Sequence, residues 1–375
     1  MTQTHGWMAW GQPPWRIDFE PETRPLPAEV DVAIIGGGFT GLATAAWLRR
    51  LAPEKTVVVA EASQLGAGGS GRTGGLALGE SAAGALPGLA DVLEGFTGIL
   101  QELAVDCELT LAGVWEIARR HARSDSPIVW QDSGTLRVAD EVAGGTLDPG
   151  KLLNGLARAA QRLGASLYPY TPVQHIRFEA PLQLELPQSK LRARQVLFAT
   201  NAQALELSGL AGRAQPKFTT AVATRPLRED ELEALGLGPR KPFYTLDLPY
   251  LWGRVLANNG VVFGSGLVHL SDSRELTALA IASGKPAELL ASLEHRVRGL
   301  HPLLRSVQFT HRWGGPILFG QAGRPFFARH PRTPNALILA GYTGQGVTLS
   351  VYLACWAAEV LLGQKSLPPW GAVAS

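Results

Sequence analysis

The chain has 375 residues, 46% hydrophobic and 18% charged, so it is long enough to bury the cores of about two globular domains. Its net charge of +2 argues against a large nucleic-acid interface. Cys107 and Cys355 match no C-x-x-C pattern, so no metal centre is predicted, and a cytoplasmic location suits the chain. We expect no transmembrane segment, because the apolar stretch 32–48 contains a glycine turn and 346–362 is short and carries Glu359.

Residues 1–29 contain several prolines and Trp7, Trp10 and Trp15, without helical or strand periodicity. We expect an arm in extended conformation whose tryptophans pack into surface grooves. A binding role for these tryptophans is the alternative.

A strand, a glycine turn and a helix are predicted in succession from residue 31. Residues 32–35 form an apolar run typical of a buried parallel strand, and an apolar helical pattern begins at Leu42. The glycines between them have the spacing G-x-G-x-x-G, which allows a tight turn and close approach of a pyrophosphate to the helix start. The predicted dinucleotide-binding residues here are Gly36, Gly38, Phe39, Thr40 and Gly41.

An acidic residue follows the next predicted strand, residues 56–60. Glu61 lies 25 positions after Gly36, where a dinucleotide fold has a carboxylate that accepts hydrogen bonds from ribose hydroxyls. A carboxylate there would repel a 2′-phosphate, which disfavours an NADP-type ligand. The alternative is a glycine-rich turn beside a surface glutamate.

The loop 62–75 is dense in glycine, with Ser70, Arg72 and Thr73 as polar side chains. Such a loop leaves main-chain amides available to a flat or charged ligand. A flexible linker is the alternative. A later helix is predicted from Asp148-Pro149 to Gly164, and a buried strand at 194–199 leads to Thr200-Asn201.

The stretch 216–312 differs in character, with short apolar runs and one longer helix near 286–300. We interpret it as a second domain with a mixed, mostly antiparallel sheet. The C-terminal segment then repeats the opening pattern: a strand at 335–340, a turn containing Gly341, Gly344 and Gly346, and an apolar helix at 347–362. A second helix N-terminus could stabilise negative charge elsewhere on the same ligand.

Four blocks of this sequence resemble the FAD-dependent D-amino-acid-oxidase-like (DAO) family, closest to its gamma-glutamylputrescine oxidoreductase, glycine oxidase and sarcosine oxidase branches. These blocks are residues 36–41, 61–62, 68–75 and 341–347, and the likeness extends from about residue 30 to the C-terminus. The resemblance implies an α/β fold with a Rossmann-like FAD-binding domain of the glutathione-reductase type and an α+β substrate domain. We assign an arm to 1–29, the FAD domain to 30–85, 146–215 and 320–375, and the substrate domain to 86–145 and 216–319.

The resemblance also implies how FAD is bound. Residues 36–41 would hold the pyrophosphate of FAD, and Glu61 would bind its ribose. Residues 70–75 would approach the edge of the isoalloxazine ring. Val173 would lie by the adenine, and residues 343–347 by the pyrimidine end of the isoalloxazine ring. The full predicted set adds Ala62, Ser63, Ser70, Gly71, Arg72, Thr73, Gly74, Gly75, Ala199, Thr200, Asn201, Gly341, Thr343, Gly344, Gln345, Gly346 and Val347. Because no cysteine lies in 300–345, FAD is expected to be non-covalent.

The implied reaction is oxidation of the C–N bond of an amine or amino acid by hydride transfer to flavin N5, giving an imine that hydrolyses. No catalytic side chain is assigned. The substrate-binding candidates are Tyr244, Tyr250, Arg254, Trp313 and Tyr342, of which Arg254 would clamp a carboxylate. The electron acceptor is O2 or another carrier, since no lysine lies in 260–270. The alternatives are a 2-hydroxy-acid dehydrogenase and a non-catalytic flavin-binding subunit.

Overall fold

The structure is a computed structural model that describes residues 6–121 and 123–371. For Gly6 and Trp7 it describes the main chain only. Two large sheets and the helices packed on them make up this part of the chain. Its α-helices are α1 (Phe39–Leu51), α2 (Val92–Glu102), α3 (Pro149–Arg162), α4 (Leu205–Ser208), α5 (Glu229–Ala234), α6 (Gly284–Leu300) and α7 (Val347–Leu361).

The strands are numbered in chain order over the same described residues. They are β1 (Glu29–Ile35), β2 (Val57–Ala60), β3 (Leu76–Leu78), β4 (Val114–Ala118), β5 (Trp130–Gln131), β6 (Thr135–Val142), β7 (Gly144–Thr146), β8 (Ser166–Tyr168), β9 (His175–Arg177), β10 (Leu182–Glu185), β11 (Lys190–Phe198), β12 (Gln215–Thr224), β13 (Phe243–Thr245), β14 (Leu251–Val255), β15 (Val261–His269), β16 (Phe309–Phe319), β17 (Phe326–His330) and β18 (Thr333–Ala340).

The first sheet has the strand order β17–β18–β11–β1–β2–β8, with β10 and β9 attached to β11. Strands β18, β11, β1, β2 and β8 run parallel. Alternate residues of β1 enter two different cores: Val32 and Ile34 pack with α1, α3 and α7, and Ala33 and Ile35 pack on the opposite face. A sheet covered on both faces explains why these strands are apolar throughout. The Rossmann-like fold is confirmed.

The second sheet has the order β16–β12–β15–β14–β13–β4–β6–β5. All its pairings are antiparallel except that of β13 with β4, as expected for the mixed sheet of a substrate domain. Phe243, Val261 and Phe263 face α6 in one hydrophobic core. The other face carries a separate small cluster that includes Trp15, Ala221 and Trp313. This second face is therefore turned toward the N-terminal arm and not toward α6.

The two sheets take their strands from different stretches of the chain. Residues 29–60, 166–198 and 326–340 supply the first, and residues 114–142, 215–269 and 309–319 supply the second. We propose on this basis that the domain boundaries lie near residues 85, 145, 215 and 319. No helix in the described ranges has the length and apolar character required to cross a membrane.

Two expectations about local structure need correction. The arm is not extended throughout, because Gly6–Trp10 forms a 3-10 helix. The apolar pattern of residues 89–105 also predicts a helix, and this helix, α2, begins only at Val92, because the Asp91 carboxylate accepts hydrogen bonds from the amides of Leu93 and Glu94 and so caps it. Trp10 and Trp15 are buried as expected, while the side chain of Trp7 lies outside the described residues.

Candidate functional site

The turn between β1 and α1 admits only glycine at two positions. Gly36 has φ of +112°, and a Cβ there would lie 2.6 Å from the carbonyl oxygen of Ala199. A Cβ on Gly41 would lie 1.9 Å from the carbonyl oxygen of Gly36. Gly38, the residue before α1, offers no side chain to cap the helix, and the Phe39 amide donates to Ser70 Oγ at 3.0 Å. Apart from this Ser70 contact, no described side chain caps the start of α1, so the positive end of its dipole can still favour an anion.

The Glu61 carboxylate borders this turn. Its Oε2 accepts from the Gly37 amide at 2.8 Å, and its Oε1 accepts from the Ser63 amide at 2.9 Å. Burial raises the pKa of Glu61, and the main-chain hydrogen bonds oppose that rise. Both oxygens retain lone pairs, so the fixed carboxylate can still accept hydroxyl donors. Ala62, the residue after Glu61, is exposed. Val173, the residue predicted beside the adenine, is buried.

Two tryptophans hold the glycine-dense loop from outside. Trp15 Nε1 donates to the carbonyl oxygen of Gly71 at 2.7 Å, and Trp313 Nε1 donates to that of Arg72 at 3.0 Å. Their rings meet edge to face with centroids 5.5 Å apart. Trp313 is 1% exposed. A buried ring with a committed N–H does not fit the predicted role of Trp313 in substrate binding, and we assign it to support of the loop.

The Arg72 side chain is buried and joins three parts of the chain. Its Nε donates to Ala67, and its Nη1 donates to the carbonyl oxygens of Trp10, Gly11 and Gly314. Burial lowers the pKa of Arg72 to about 10. The sequence predicts Arg72 as a cofactor-binding residue. Its side-chain contacts favour a role in fixing the loop, and its contact with FAD stays a prediction.

The second glycine turn lies against the first. The hydroxyl groups of Thr40, in α1, and Tyr342 are 2.8 Å apart. The Gly341 amide donates to Asn201 Oδ1 at 3.0 Å, which fixes the turn to the loop after β11. Tyr342 is 7% exposed, and burial raises its pKa. Its hydroxyl is therefore committed to Thr40, so we correct its predicted role from substrate binding to bracing the two turns.

Helix α7 begins at this second turn without a side-chain cap from Gly346. In its first turn the Thr348 hydroxyl donates to the carbonyl oxygen of Leu78, at the end of β3. The remaining predicted cofactor residues occupy loops beside the two turns: Thr73, Gly74, Gly75, Thr200, Thr343, Gly344, Gln345 and Val347 at the start of α7.

The face of the second sheet that points away from α6 approaches the glycine-dense loop through one tryptophan. A Cβ added to Gly74 would lie 2.1 Å from the Trp252 ring, and one added to Gly264 would lie 2.0 Å from it. The ring thus lies between the loop and the sheet. Tyr244 pairs with Trp252 across β13 and β14, and with Glu116 across β13 and β4. Glu116, Tyr244 and Trp252 therefore share this face.

Tyr244 donates its hydroxyl to Glu116 Oε1 at 2.5 Å. Burial, the hydrogen bond and the negative charge of Glu116 raise the pKa of Tyr244, with smaller contributions from Tyr250 and Glu80. Glu116 has no ion-pair partner within the ranges that the structure describes. Tyr250 is 55% exposed and Tyr244 is partly exposed, so a ligand can reach both predicted tyrosines.

Arg254 follows on the same face, two residues after Trp252. It is 6% exposed, and its Nε donates to the carbonyl oxygen of Gly74 at 2.5 Å. Burial lowers its pKa to about 10, against the opposing influence of Asp148 and Glu108. The charge persists at neutral pH, without an ion pair inside the described ranges. Its predicted carboxylate contact remains untested.

This arrangement is that of a flavin-dependent oxidoreductase, and the chain belongs to the DAO family of FAD-dependent oxidoreductases, whose profile matches residues 31–360. The chain is an enzyme of this family, and FAD is its cofactor.

Known relatives cover nearly the whole chain. Gamma-glutamylputrescine oxidoreductase of Escherichia coli (strain K12) is 25% identical, with 89% of this chain and 84% of the relative aligned. Among solved structures, glycine oxidase of Geobacillus kaustophilus has a TM-score of 0.70 at 20% identity and covers 91% of this chain and 96% of its own. L-proline dehydrogenase of P. horikoshii has a TM-score of 0.71 at 17% identity, covering 92% and 97%.

Two residues of this face were missing from the sequence prediction. The motifs and apolar patterns of the sequence single out neither Trp252 nor Glu116. The available signal for Glu116 was a charged residue inside the apolar strand Val-Trp-Glu-Ile-Ala, β4. A carboxylate at such a position must be paired or have a function.

Proposed function

We propose that this chain binds FAD across both glycine turns and oxidises the C–N bond of an amine or amino acid. The contact between Thr40 and Tyr342 is the observation that supports it most strongly, because it brings together two helix N-termini that each follow a glycine. One anionic ligand can use both helix ends only if they are neighbours.

The residues fit FAD in three respects. The glycine turn 36–41 carries no bulky side chain at Gly38, so a diphosphate can approach the start of α1 closely. The fixed carboxylate of Glu61 can accept ribose hydroxyls. The turn at 343–347 and the N-terminus of α7 would favour negative charge on the pyrimidine end of the ring. The sequence has no cysteine in 300–345, which supports non-covalent binding.

When bound, FAD supplies a two-electron acceptor at N5. The substrate carbon loses a hydride and its nitrogen loses a proton, and water hydrolyses the resulting imine to a carbonyl compound and ammonia, or to a carbonyl compound and an amine when the substrate is a secondary amine. The chain would exclude bulk water with Trp252 and orient the substrate with Tyr244, Tyr250 and Arg254. O2 or another carrier would then reoxidise the flavin.

Two observations favour an amine over a 2-hydroxy acid. The hydroxyl of Tyr244 donates to Glu116, so toward a ligand this pair offers lone pairs and a negative charge, which suit a cationic N–H donor better than a neutral O–H donor. The names of the relatives refer to gamma-glutamylputrescine, glycine and L-proline, all of which contain amine nitrogen.

An anaerobic flavin-reduction screen tests the proposal. The FAD-loaded protein is mixed with amines, polyamines, amino acids and 2-hydroxy acids, and the visible flavin absorption is followed. We expect at least one amine or amino acid to bleach it and no hydroxy acid to do so. Reduction by dithionite is the control for an accessible ring. Bleaching by a hydroxy acid alone, or by dithionite alone, would contradict the proposal.

A further inference from the structure

The pair formed by Glu116 and Tyr244 differs from the other carboxylate contacts of the second sheet. Glu141, on the neighbouring strand β6, is neutralised by Lys241 at 2.5 Å. Glu116 is partly buried, accepts from the Tyr244 hydroxyl, and has no cation partner in the described ranges. Removing a carboxylate from water without a counter-charge is costly unless a ligand supplies that charge.

Two independent contacts connect this pair to the flavin site. The first is cross-strand pairing: Tyr244 lies between Glu116 and Trp252 on neighbouring strands, and the Trp252 ring lies against Gly74. The second is indirect: Leu78 accepts from Thr348 in α7, and Glu80, two residues beyond Leu78, is among the charges that raise the pKa of Tyr244. The pair therefore lies on the sheet face whose Trp252 ring meets the glycine-dense loop.

The pair offers hydrogen-bond acceptors only. The Tyr244 proton is directed to Glu116 Oε1, which leaves the phenol lone pair and Glu116 Oε2 for a ligand. An ammonium group, with three donors and a positive charge, matches this set, whereas a carboxylate or a carbonyl does not.

We infer that Glu116, supported by Tyr244, binds a second, non-reacting ammonium group of the substrate, so that the enzyme prefers a diamine-like substrate to a simple amine. Neighbouring strands are about 4.8 Å apart, so Glu116 on β4 lies roughly 10 Å, two strand spacings, from the strand of Trp252. Several methylene groups must therefore separate the two nitrogens. The reacting amine stays near Trp252 and is oxidised as the neutral base, while the distal nitrogen remains charged at Glu116. This inference rests on the proposed function.

The test compares diamines with alkylamines of equal length on FAD-loaded wild type and Glu116→Gln. The probes are diaminobutane, diaminohexane and diaminooctane, against butylamine, hexylamine and octylamine. Glutamine keeps an oxygen that can accept from Tyr244 but removes the charge. Glu141→Gln is the matched control, a carboxylate of the same sheet already paired with Lys241.

We expect the wild type to bind the best diamine at least about tenfold more tightly than its alkylamine partner, the size of one charge-assisted hydrogen bond. Glu116→Gln should remove this preference by raising the Kd of the diamine about tenfold more than the Kd of the alkylamine. Glu141→Gln should retain the preference, and Tyr244→Phe, which keeps the charge, should retain most of it.

Kd is measured twice, from the flavin spectral shift on binding and from the concentration dependence of flavin reduction. If no amine reduces the flavin, the proposed reaction fails, but the spectral titration still decides the role of Glu116. A wild type without preference for diamines overturns the inference. So does a Glu116→Gln variant that retains the preference, or one that loses affinity equally for both probe classes, since that would indicate a structural role.

Discussion

Replacing Gly38 with valine should give a folded protein that no longer retains FAD. Gly38 has φ of −90° and ψ of −170°, an extended conformation open to any residue. A Cβ there would come within 4 Å of Ser70 alone, 2.7 Å from its hydroxyl oxygen. Displacing that hydroxyl removes its hydrogen bond to the Phe39 amide and should cost about 1 kcal/mol.

The effect on the ligand should be much larger, because the valine side chain would cover the start of α1, where a diphosphate has to approach the main chain. We expect the Kd of FAD to rise at least about 100-fold, equal to roughly 2.7 kcal/mol. Titration of apoprotein with FAD, followed by flavin fluorescence, measures it. Gly98→Ala in α2, where a Cβ would meet nothing within 4 Å, is the control. A Kd for Gly38→Val within threefold of wild type, about 0.7 kcal/mol, would remove the first turn from the site.

Arg72→Lys should destabilise the protein by about 2–4 kcal/mol, even though the charge is conserved. The planar guanidinium reaches carbonyl groups of the arm, of its own loop and of β16, including Gly11 at 2.8 Å and Gly314 at 3.0 Å. A lysine ammonium lacks the planar, branched set of N–H donors of a guanidinium and would leave at least one buried carbonyl without a donor. Each such carbonyl lowers the free energy of unfolding by about 1–3 kcal/mol. Because Trp10 and Gly11 are among the acceptors, the arm should be released first.

Chemical denaturation gives the change in the free energy of unfolding, and limited proteolysis reports release of the arm. Arg228→Lys is the matched control, since Arg228 pairs with Asp230 on the surface and should change stability by less than about 0.5 kcal/mol. Equal stabilities for the two lysine variants, with an arm that resists protease in both, would show that Arg72 does not fasten it.

Much of the first sheet was predictable because its signals are local. The strand before Gly36, the acid at 61 and the turn after residue 340 each depend on a few consecutive residues, and the structure has β1, β2 and β18 at those places. The helix at Asp148-Pro149 was predictable for the same reason, since Asp148 caps α3 by accepting from the Lys151 amide at 2.8 Å.

The face of the second sheet that points away from α6 was less predictable, because its composition depends on the register between distant strands. Glu116, Tyr244 and Trp252 become neighbours only through the pairing of β4, β13 and β14. Likewise, Arg72 is a cation in a glycine-rich loop, a pattern that favours a ligand contact. Its actual acceptors, Gly11 and Gly314, are 61 and 242 positions away, and nothing in the local sequence indicates them.

The central claim is that both glycine turns hold one FAD, and a crystal structure of the FAD-loaded protein tests it most directly. We predict one FAD per chain, without a covalent bond to the protein, with its diphosphate at residues 36–41 and the pyrimidine edge of its ring at residues 343–347. Density for FAD that touches only one of the two turns, or that lies away from both, would contradict the account.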